Sequence, residues 1–547
     1  MKLRSLRVAL AALLLATLLP ESLSAQTLFL VGDSTCANKK LEKENPERGW
    51  GQLFQSLVTE PLKVENHAVN GRSTKSFRQE GRWQVVLDRM TEGDYVFIQF
   101  GHNDQKSDDT VRYASPEQYG LNLQRMVHEV RERGGKPVLL TPISRRHWRE
   151  GELLYRHGEY PAVMQRVAEQ EQVPCIDMKS LTREWLLSLG DEGSVPYFMN
   201  IKPGYCALFP DGKIDNTHLT VEGAHIVARM VAHQVKSLLP ELAPYLRFPD
   251  LVVAQDGSGD FFTLQEAVMA IPDFSRKEIW LLVRGGEYRE KVTIPASKRN
   301  VRLSGEGAEK TLIAWDDYSR RLNRFGREMG TSGSSTIYFG GDHWWVEDLT
   351  FANTAGPVGQ AVAVQCLGTE LSFRRCRFLG YQDTLYLHGL GNRDQETISK
   401  NSVCYFEECY VEGTTDFIFG SAEAIFVRCE IHSLRDSYIT AASTCRGQQA
   451  GMLFYQCRLT AAEGVKACYL GRPWRNYAQT AFVECWLGEH ILPEGWHNWS
   501  KPEAERTVRY VEVASEGPGA RLRERVKWAE TYAELTPRLA KRFGTLP

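Results

Sequence analysis

The sequence has little net charge: 66 Lys and Arg stand against 68 Asp and Glu, leaving −2 over 547 residues. Such a balance gives nucleic acid no general attraction, so any polyanionic substrate must be held by local groups. Past residue 25 no apolar run is long enough to span a membrane. No GxSxG elbow occurs, which argues against the α/β-hydrolase arrangement of a serine enzyme. Histidines do not cluster at metal-ligand spacing, and metal binding is not expected. The cysteines do not pair off by halves: three of the twelve precede residue 245 and nine follow residue 250.

What is present begins with a targeting segment. Lys2, Arg4 and Arg7 precede an apolar run over residues 8–19, and Leu23-Ser24-Ala25 supplies small residues for cleavage. Residues 1–25 therefore read as a signal peptide. No cysteine follows closely enough to carry a lipid anchor. The expectation is an exported, soluble monomer, periplasmic or secreted. A chain of this length, 42% hydrophobic and 24% charged, needs more than one core. Pro240, Pro244 and Pro249 fall close together before a Gly-rich turn, DGSGD at 256–260, and the style of sequence changes across them. Two domains are expected, 26–245 and 250–547, with a linker over roughly 240–249.

In the first half, short β-rich runs at 27–31 (TLFLV), 95–100 (YVFIQF) and 137–140 (PVLL) alternate with helical periodicity at 117–132 and 221–238. That alternation argues for a parallel sheet flanked by helices. Four motifs fall at the ends of these elements: GDST at 32–35, NGRS at 70–73, GHND at 101–104 and DNTH at 215–218. Ligand groups on open α/β sheets gather at the carboxyl ends of strands, which suits the first and third. Together they compose a serine esterase. Ser34 needs a base, His218 can serve, and Asp215 can fix its tautomer and stabilise its cation. The N–H groups of Ser34 and Gly71 and the side-chain amide of Asn103 can hold an oxyanion. Each motif alone is weak; the set in this order is not.

These blocks resemble those of SGNH (GDSL-type) hydrolases, and VNGRSTKSF, QFGHNDQ and THLTVEGAHIVARMVA are most similar to the rhamnogalacturonan acetylesterase branch. The likeness covers most of residues 27–238. It implies an α/β/α flavodoxin-like fold and removal of O-acetyl groups from a polysaccharide.

In the second half a unit recurs, Phe-x-x-Cys-x-apolar, at 373–378, 406–411, 426–431, 454–459 and 482–487, with VEDLTF at 346–351 as a variant. Spacings of 20 to 33 residues suit one coil of a solenoid per repeat. Cys376, Cys409, Cys429, Cys457 and Cys485 would then stack as an internal column of free thiols; disulfides between rungs are the alternative. Polar residues interrupt this background at Gln360, at Gln382-Asp383, at Asp416 and at Arg472. Two carboxylates in one cleft push their pKa values apart, and Arg472 can hold the ionised one. Such a pair can cleave glycosides or attack an ester carbonyl. Two nearby glutamines favour the ester, because they suit an oxyanion developing on a carbonyl oxygen. Each motif by itself reads as well as turn or packing residues.

VAQDGSGDFFTLQEAV, GEYREKV, GQAVAV, GYQDTLY, DFIFG and LGRPW resemble, in order, the blocks of pectin methylesterases over residues 252–474, and 526–543 look like the family's tail. The resemblance implies a right-handed parallel β-helix without metal or organic cofactor. It makes Asp416 the nucleophile, Asp383 the general acid and then base, Gln360 and Gln382 the oxyanion donors, and Arg472 the group that orients Asp416. Tyr386 and Trp474 become candidates to line the sugar-binding cleft. The segment 389–402 is longer than in compact members and is expected to overhang the groove. The whole then reads as a two-domain enzyme removing acetyl and methyl esters from pectic polysaccharide, methylated and acetylated galacturonan or rhamnogalacturonan. In the alternative, the first half acts on another acetylated glycan or only binds.

Overall fold

The computed structural model describes residues 26–391, 398–400 and 402–543; the expected signal peptide lies outside the described residues. The chain divides into two compact units, one ending at Phe248 and one beginning at Pro249.

Five parallel strands organise the first unit: β1 (Thr27–Gly32), β2 (Lys63–Asn66), β3 (Tyr95–Gln99), β4 (Lys136–Leu140) and β5 (Cys175–Ile176). Their order is β2-β1-β3-β4-β5, the flavodoxin-like order. The inner strands are apolar at nearly every position because both sheet faces are covered. Leu28, Leu30, Tyr95 and Phe97 pack with the helices Trp50–Phe54 and Val221–Leu238. Their neighbours Phe29, Val31, Val96 and Ile98 pack on the other side with Pro116–Glu132 and Tyr160–Glu171. Strand order reverses between β1 and β3, so the loops after these two strands flank the crevice where such sheets place their ligands.

Asp215 and His218 arrive from a separate antiparallel sheet. Strand Lys213–Thr220 lies between Glu47–Arg48 and Phe198–Ile201, and its register shifts between Asp215 and Leu219. The irregularity takes 216–218 out of regular pairing, the usual way a bulged strand re-aims a side chain.

The proline-rich stretch read as a linker is folded into the first unit. Pro240–Tyr245 forms a 3-10 helix with Leu242 buried, Leu246 bridges to Val58, and Arg247 donates its N–H to the Leu57 carbonyl. Proline costs nothing at a first helical position, where the N–H has no intrahelical partner.

Among the described residues the second unit is a parallel β-helix of three sheets with eleven, eight and seven strands. The recurring Phe-x-x-Cys-x-apolar unit is the corner between the first two sheets. Phe373, Phe406, Phe426, Phe454 and Phe482 are register partners on successive coils of the larger sheet. Their rings stack face to face at centroid distances of 4.9, 4.5, 4.6 and 4.5 Å. Phe378, Val411, Ile431, Leu459 and Leu487 pair in the same way on the eight-stranded sheet. The residue before each cysteine turns the corner at positive φ: Arg375, Glu408, Arg428, Gln456 and Glu484 lie between 50° and 54°. All five cysteines are buried free thiols. Cys409, Cys429, Cys457 and Cys485 each lie 3.3–3.5 Å from the carbonyl of the phenylalanine one coil back. The column expected from spacing is thus a double one, thiols beside rings.

In the segment expected to overhang the groove, Leu390–Gly391 pairs antiparallel with Ile398–Lys400; residues 392–397 and 401 lie outside the described residues.

Candidate active sites

In the first unit Ser34 sits just past β1 and is 9% exposed. Its Oγ is 2.8 Å from His218 Nε2, and His218 Nδ1 is 2.7 Å from Asp215 Oδ2. The carboxylate fixes the tautomer: Nδ1–H donates to Asp215, leaving Nε2 to accept from Ser34. Asp215 also accepts the backbone N–H groups of Thr217 and His218, at 2.9 and 3.1 Å. Burial works against its ionisation, but the hydrogen bond and charge of His218 outweigh that and hold Asp215 well below the usual carboxylate range.

Gly71, at φ 73°, and Asn103 belong to loops tied to the same place. Asn103 donates one amide N–H to the Arg72 carbonyl at 3.0 Å, and its Oδ1 accepts from Lys106 Nζ at 2.9 Å. Its orientation is therefore set. Asp104 accepts from Thr74 N–H and Oγ1, at 2.9 and 2.6 Å, anchoring the helix that follows the 70–73 motif. Asp33, fully buried, accepts from the backbone and hydroxyl of Thr35 and lies 3.2 Å from His102 Nδ1. These residues brace the site.

Lys39, which sequence motifs did not mark, holds three parts of this site together. Its buried Nζ donates to the Ser34 carbonyl at 2.6 Å and to Asn70 Oδ1 at 2.7 Å, and pairs with Glu47 at 2.9 Å. Glu47 is the register partner of Thr220 on the strand that carries His218. Lys213 continues the chain of charges, 3.3 Å from both Glu47 and Asp215. Loss of the Lys39 cation should let the Ser34 and Asn70 loops drift. Lys39→Met is expected to lower kcat on a small activated acetate ester about 10²-fold, the scale of an ångström-sized misplacement. Activity alongside thermal unfolding checks this; a folded variant with wild-type kcat would remove Lys39 from the account.

In the second unit Asp383 and Asp416 occupy equivalent positions on neighbouring coils, each two residues before the register partners Leu385 and Ile418. They are 7% and 6% exposed, and both have left-handed backbone, φ 67° and 51°. Such backbone costs about 1–3 kcal/mol and concentrates at functional sites, where surroundings impose it. Here the coils do so: Asp383 N–H donates to the Thr415 carbonyl at 3.1 Å and Asp416 N–H to that of Tyr438 at 2.8 Å. Two motif glycines serve close coil packing. A Cβ on Gly420 would lie 1.8 Å from the Leu387 carbonyl, and one on Gly471 2.0 Å from Thr440 Oγ1.

Among the described residues Arg472 hydrogen-bonds to Asp416 and not to Asp383. Its Nε and Nη2 donate to the two carboxylate oxygens at 2.9 and 2.7 Å. The guanidinium lies between two rings, 3.8 Å from the Tyr438 centroid and 3.7 Å from that of Trp499. Burial lifts Asp383 well above the usual carboxylate range, and the charge of Asp416 adds to it against a smaller pull from Arg472. Burial lifts Asp416 too, but the Arg472 hydrogen bonds and charge oppose the rise. The two carboxyls are thereby made unlike: Arg472 favours the ionised form of Asp416, and burial beside that charge favours the protonated form of Asp383.

Gln360 and Gln382 are bridge partners on adjoining coils. Ser319 Oγ donates to Gln360 Oε1 at 2.9 Å, which fixes that amide. Gln360, Gln382, Asp383, Tyr386, Asp416, Arg472 and Trp474 all line one cleft of about 510 Å³. Tyr386 stacks on Phe419 at 4.3 Å, with Trp474 edge-on to both at 6.3 and 5.7 Å. Tyr438 and Trp499 had no sequence signal, since nothing in their spacing places them beside Arg472. Among the described residues no group of three or more His, Cys, Asp or Glu is placed to hold a metal ion.

A family model described as Pectinesterase matches residues 250–546, and one described as GDSL-like Lipase/Acylhydrolase family matches residues 30–226. Pectinesterase QRT1 of Arabidopsis thaliana is 35% identical over 305 residues, covering 54% of this chain and 76% of that protein. Pectinesterase/pectinesterase inhibitor of Ficus pumila var. awkeotsang is 37% identical over 308 residues; the match covers 54% of this chain and 53% of that protein, about half its length. The solved structure of pectin methylesterase from carrot shares 33% identity at a TM-score of 0.47, covering 52% of this chain and 88% of that one.

Proposed function

The chain belongs to the pectinesterase family, and from that premise we propose that its second unit hydrolyses galacturonate methyl esters of pectin, while its first unit is a serine esterase removing O-acetyl groups from pectic polysaccharide. The observation that carries the methylesterase reading is the bidentate hold of Arg472 on Asp416 alone. It makes two like residues unlike. Ionised Asp416 attacks the ester carbonyl carbon, and the amides of Gln360 and Gln382 hold the oxyanion. Asp383 gives its proton to the departing methanol oxygen, leaving an acyl-enzyme. Asp383, now ionised, takes a proton from water, which attacks the acyl carbon and releases the free carboxylate and Asp416. A glycosidase built on the same carboxylates has no need of two amides on adjoining coils.

For the first unit, the Ser34–His218–Asp215 chain and the GDSL-like match support acyl transfer to water. Acetyl selectivity and a pectic backbone rest on the likeness to rhamnogalacturonan acetylesterases. The 1–25 segment supports export to the periplasm or beyond, and no helix of the described residues is long and apolar enough to cross a membrane.

The test is to give wild type a pectin that is both acetylated and methylated, and to measure acetate, methanol and chain length together. Acetate and methanol should both appear while chain length stays constant. Shortened chains or unsaturated ends would overturn the esterase reading of the second unit. Methanol without acetate would mean that the first unit acts on another glycan or only binds.

A further inference from the structure

One wall of the Asp383–Asp416 cleft continues into a hairpin that the reaction above does not use. Leu322 and Glu328 bridge antiparallel, Met329 N–H donates to the Arg321 carbonyl, and Gly330 N–H to that of Ser319. Asn323 closes the tip: its Oδ1 accepts the N–H groups of Phe325 and Arg327, at 2.9 and 3.2 Å. The root is tied to the chemistry, because Ser319 N–H donates to the Gln360 carbonyl and Ser319 Oγ to the Gln360 side chain, both at 2.9 Å. Met329, Gly330, Thr331 and Ser332 are themselves part of the cleft lining.

What this rooted hairpin presents is unusual for an otherwise balanced chain. Arg320, Arg324 and Arg327 are exposed, with Glu328 the one exposed carboxylate among them. Among the described residues, none of the three arginines pairs with a carboxylate; Arg321, by contrast, is tied to Asp316 and Asp317. Phe325 is 73% exposed and Leu322 63%, and Arg324 lies 4.8 Å from the centre of the Phe325 ring. Exposed guanidinium groups beside an exposed ring suit a sugar ring that carries a carboxylate.

We propose that this hairpin is a binding subsite for the de-esterified, anionic stretch of the polysaccharide. The inference rests on the methylesterase reading and adds direction to it. Each turnover converts a neutral methyl ester into a carboxylate, with methanol and a proton leaving. A chain lying along the cleft therefore gains one negative charge per processed residue. With a net charge of −2 the protein offers that product no global field. The hairpin supplies a local one, which retains the processed end while the neutral end feeds the carboxylates.

The experiment compares wild type with the triple variant Arg320→Gln, Arg324→Gln, Arg327→Gln. The probe is unesterified polygalacturonate, used as an inhibitor of methanol release from highly methylated pectin. The inhibition constant should rise about tenfold or more in the variant, the combined effect of three modest charge pairs. Its dependence on NaCl should flatten, and kcat on highly methylated substrate should stay at the wild-type value. An unchanged inhibition constant and salt slope would overturn the proposal. So would an equal fall in kcat on fully methylated substrate, which would make the hairpin a structural support of Gln360 instead. Failure of the methylesterase reading looks different: wild type itself then releases no methanol.

Discussion

Asp416→Asn is expected to lower kcat for methanol release about 10⁴–10⁶-fold, the range spanned by removing single members of a catalytic set, and to leave acetate release unchanged. Asparagine is a sharper replacement than alanine because residue 416 has φ 51°, a conformation that Asn tolerates and Ala resists. The substitution keeps the shape and removes the charge. Arg472 stays between Tyr438 and Trp499, so the cleft wall survives. An amide oxygen in place of the carboxylate cannot form the acyl-enzyme. Methanol release within tenfold of wild type would place the nucleophile elsewhere. Loss of both activities in a folded protein would mean that the two units do not work as separate sites.

The same pair sets the pH profile of the wild type. In the proposed mechanism turnover needs Asp416 ionised and Asp383 protonated. Activity therefore falls as pH drops through the pKa of Asp416 and falls again as pH rises through that of Asp383. Both lie above the usual carboxylate range, Asp383 the further, because burial raises each and Arg472 relieves mainly Asp416. The two limbs belong to the coupled pair.

Where sequence was sufficient, it was because local chemistry and chain position coincide. Ser34 and Asn103 follow strands whose apolar runs announce them, so their place at the sheet's crevice was legible. Asp215 and His218 are three residues apart and needed only a bulge to meet Ser34. The β-helix is legible through one corner, Phe-x-x-Cys-x-apolar, and the spacing that marks the thiol column also carries the column of stacked rings beside it. What stayed hidden depends on neighbours across coils of unequal length. Trp499 lies 27 residues after Arg472 and Tyr438 lies 34 before it, on the coils to either side, and neither belongs to the Phe-x-x-Cys-x-apolar unit that marks the coils in sequence. Lys39 was hidden for another reason: a lysine five residues after the nucleophile looks like surface until its burial and three partners are seen. Pro240–Tyr245 misled in the opposite direction, because prolines that end one helix also start a short one, and Leu242 gave that one a core to enter.

Ser34→Ala is the counterpart of the Asp416 substitution, expected to lower acetate release about 10⁶-fold with methanol release intact. The change removes one oxygen and little else. The loop stays in place because Lys39 holds the Ser34 carbonyl, not its side chain. His218 keeps its 2.7 Å contact to Asp215, so the base stays oriented with nothing to deprotonate. Activity above water should persist at roughly 10³-fold, from the oxyanion donors and substrate binding that the variant retains. Those donors include Gly71 and Asn103, whose loops Lys39 and Arg72 still secure. Lys39→Met makes the opposite cut, keeping the hydroxyl and loosening its support. The two variants should therefore differ in kind: Ser34→Ala binds acetylated polymer as wild type does but does not turn it over, whereas Lys39→Met turns it over slowly. Acetate release by Ser34→Ala at more than a tenth of the wild-type rate would sink the serine mechanism, whatever methanol release then showed.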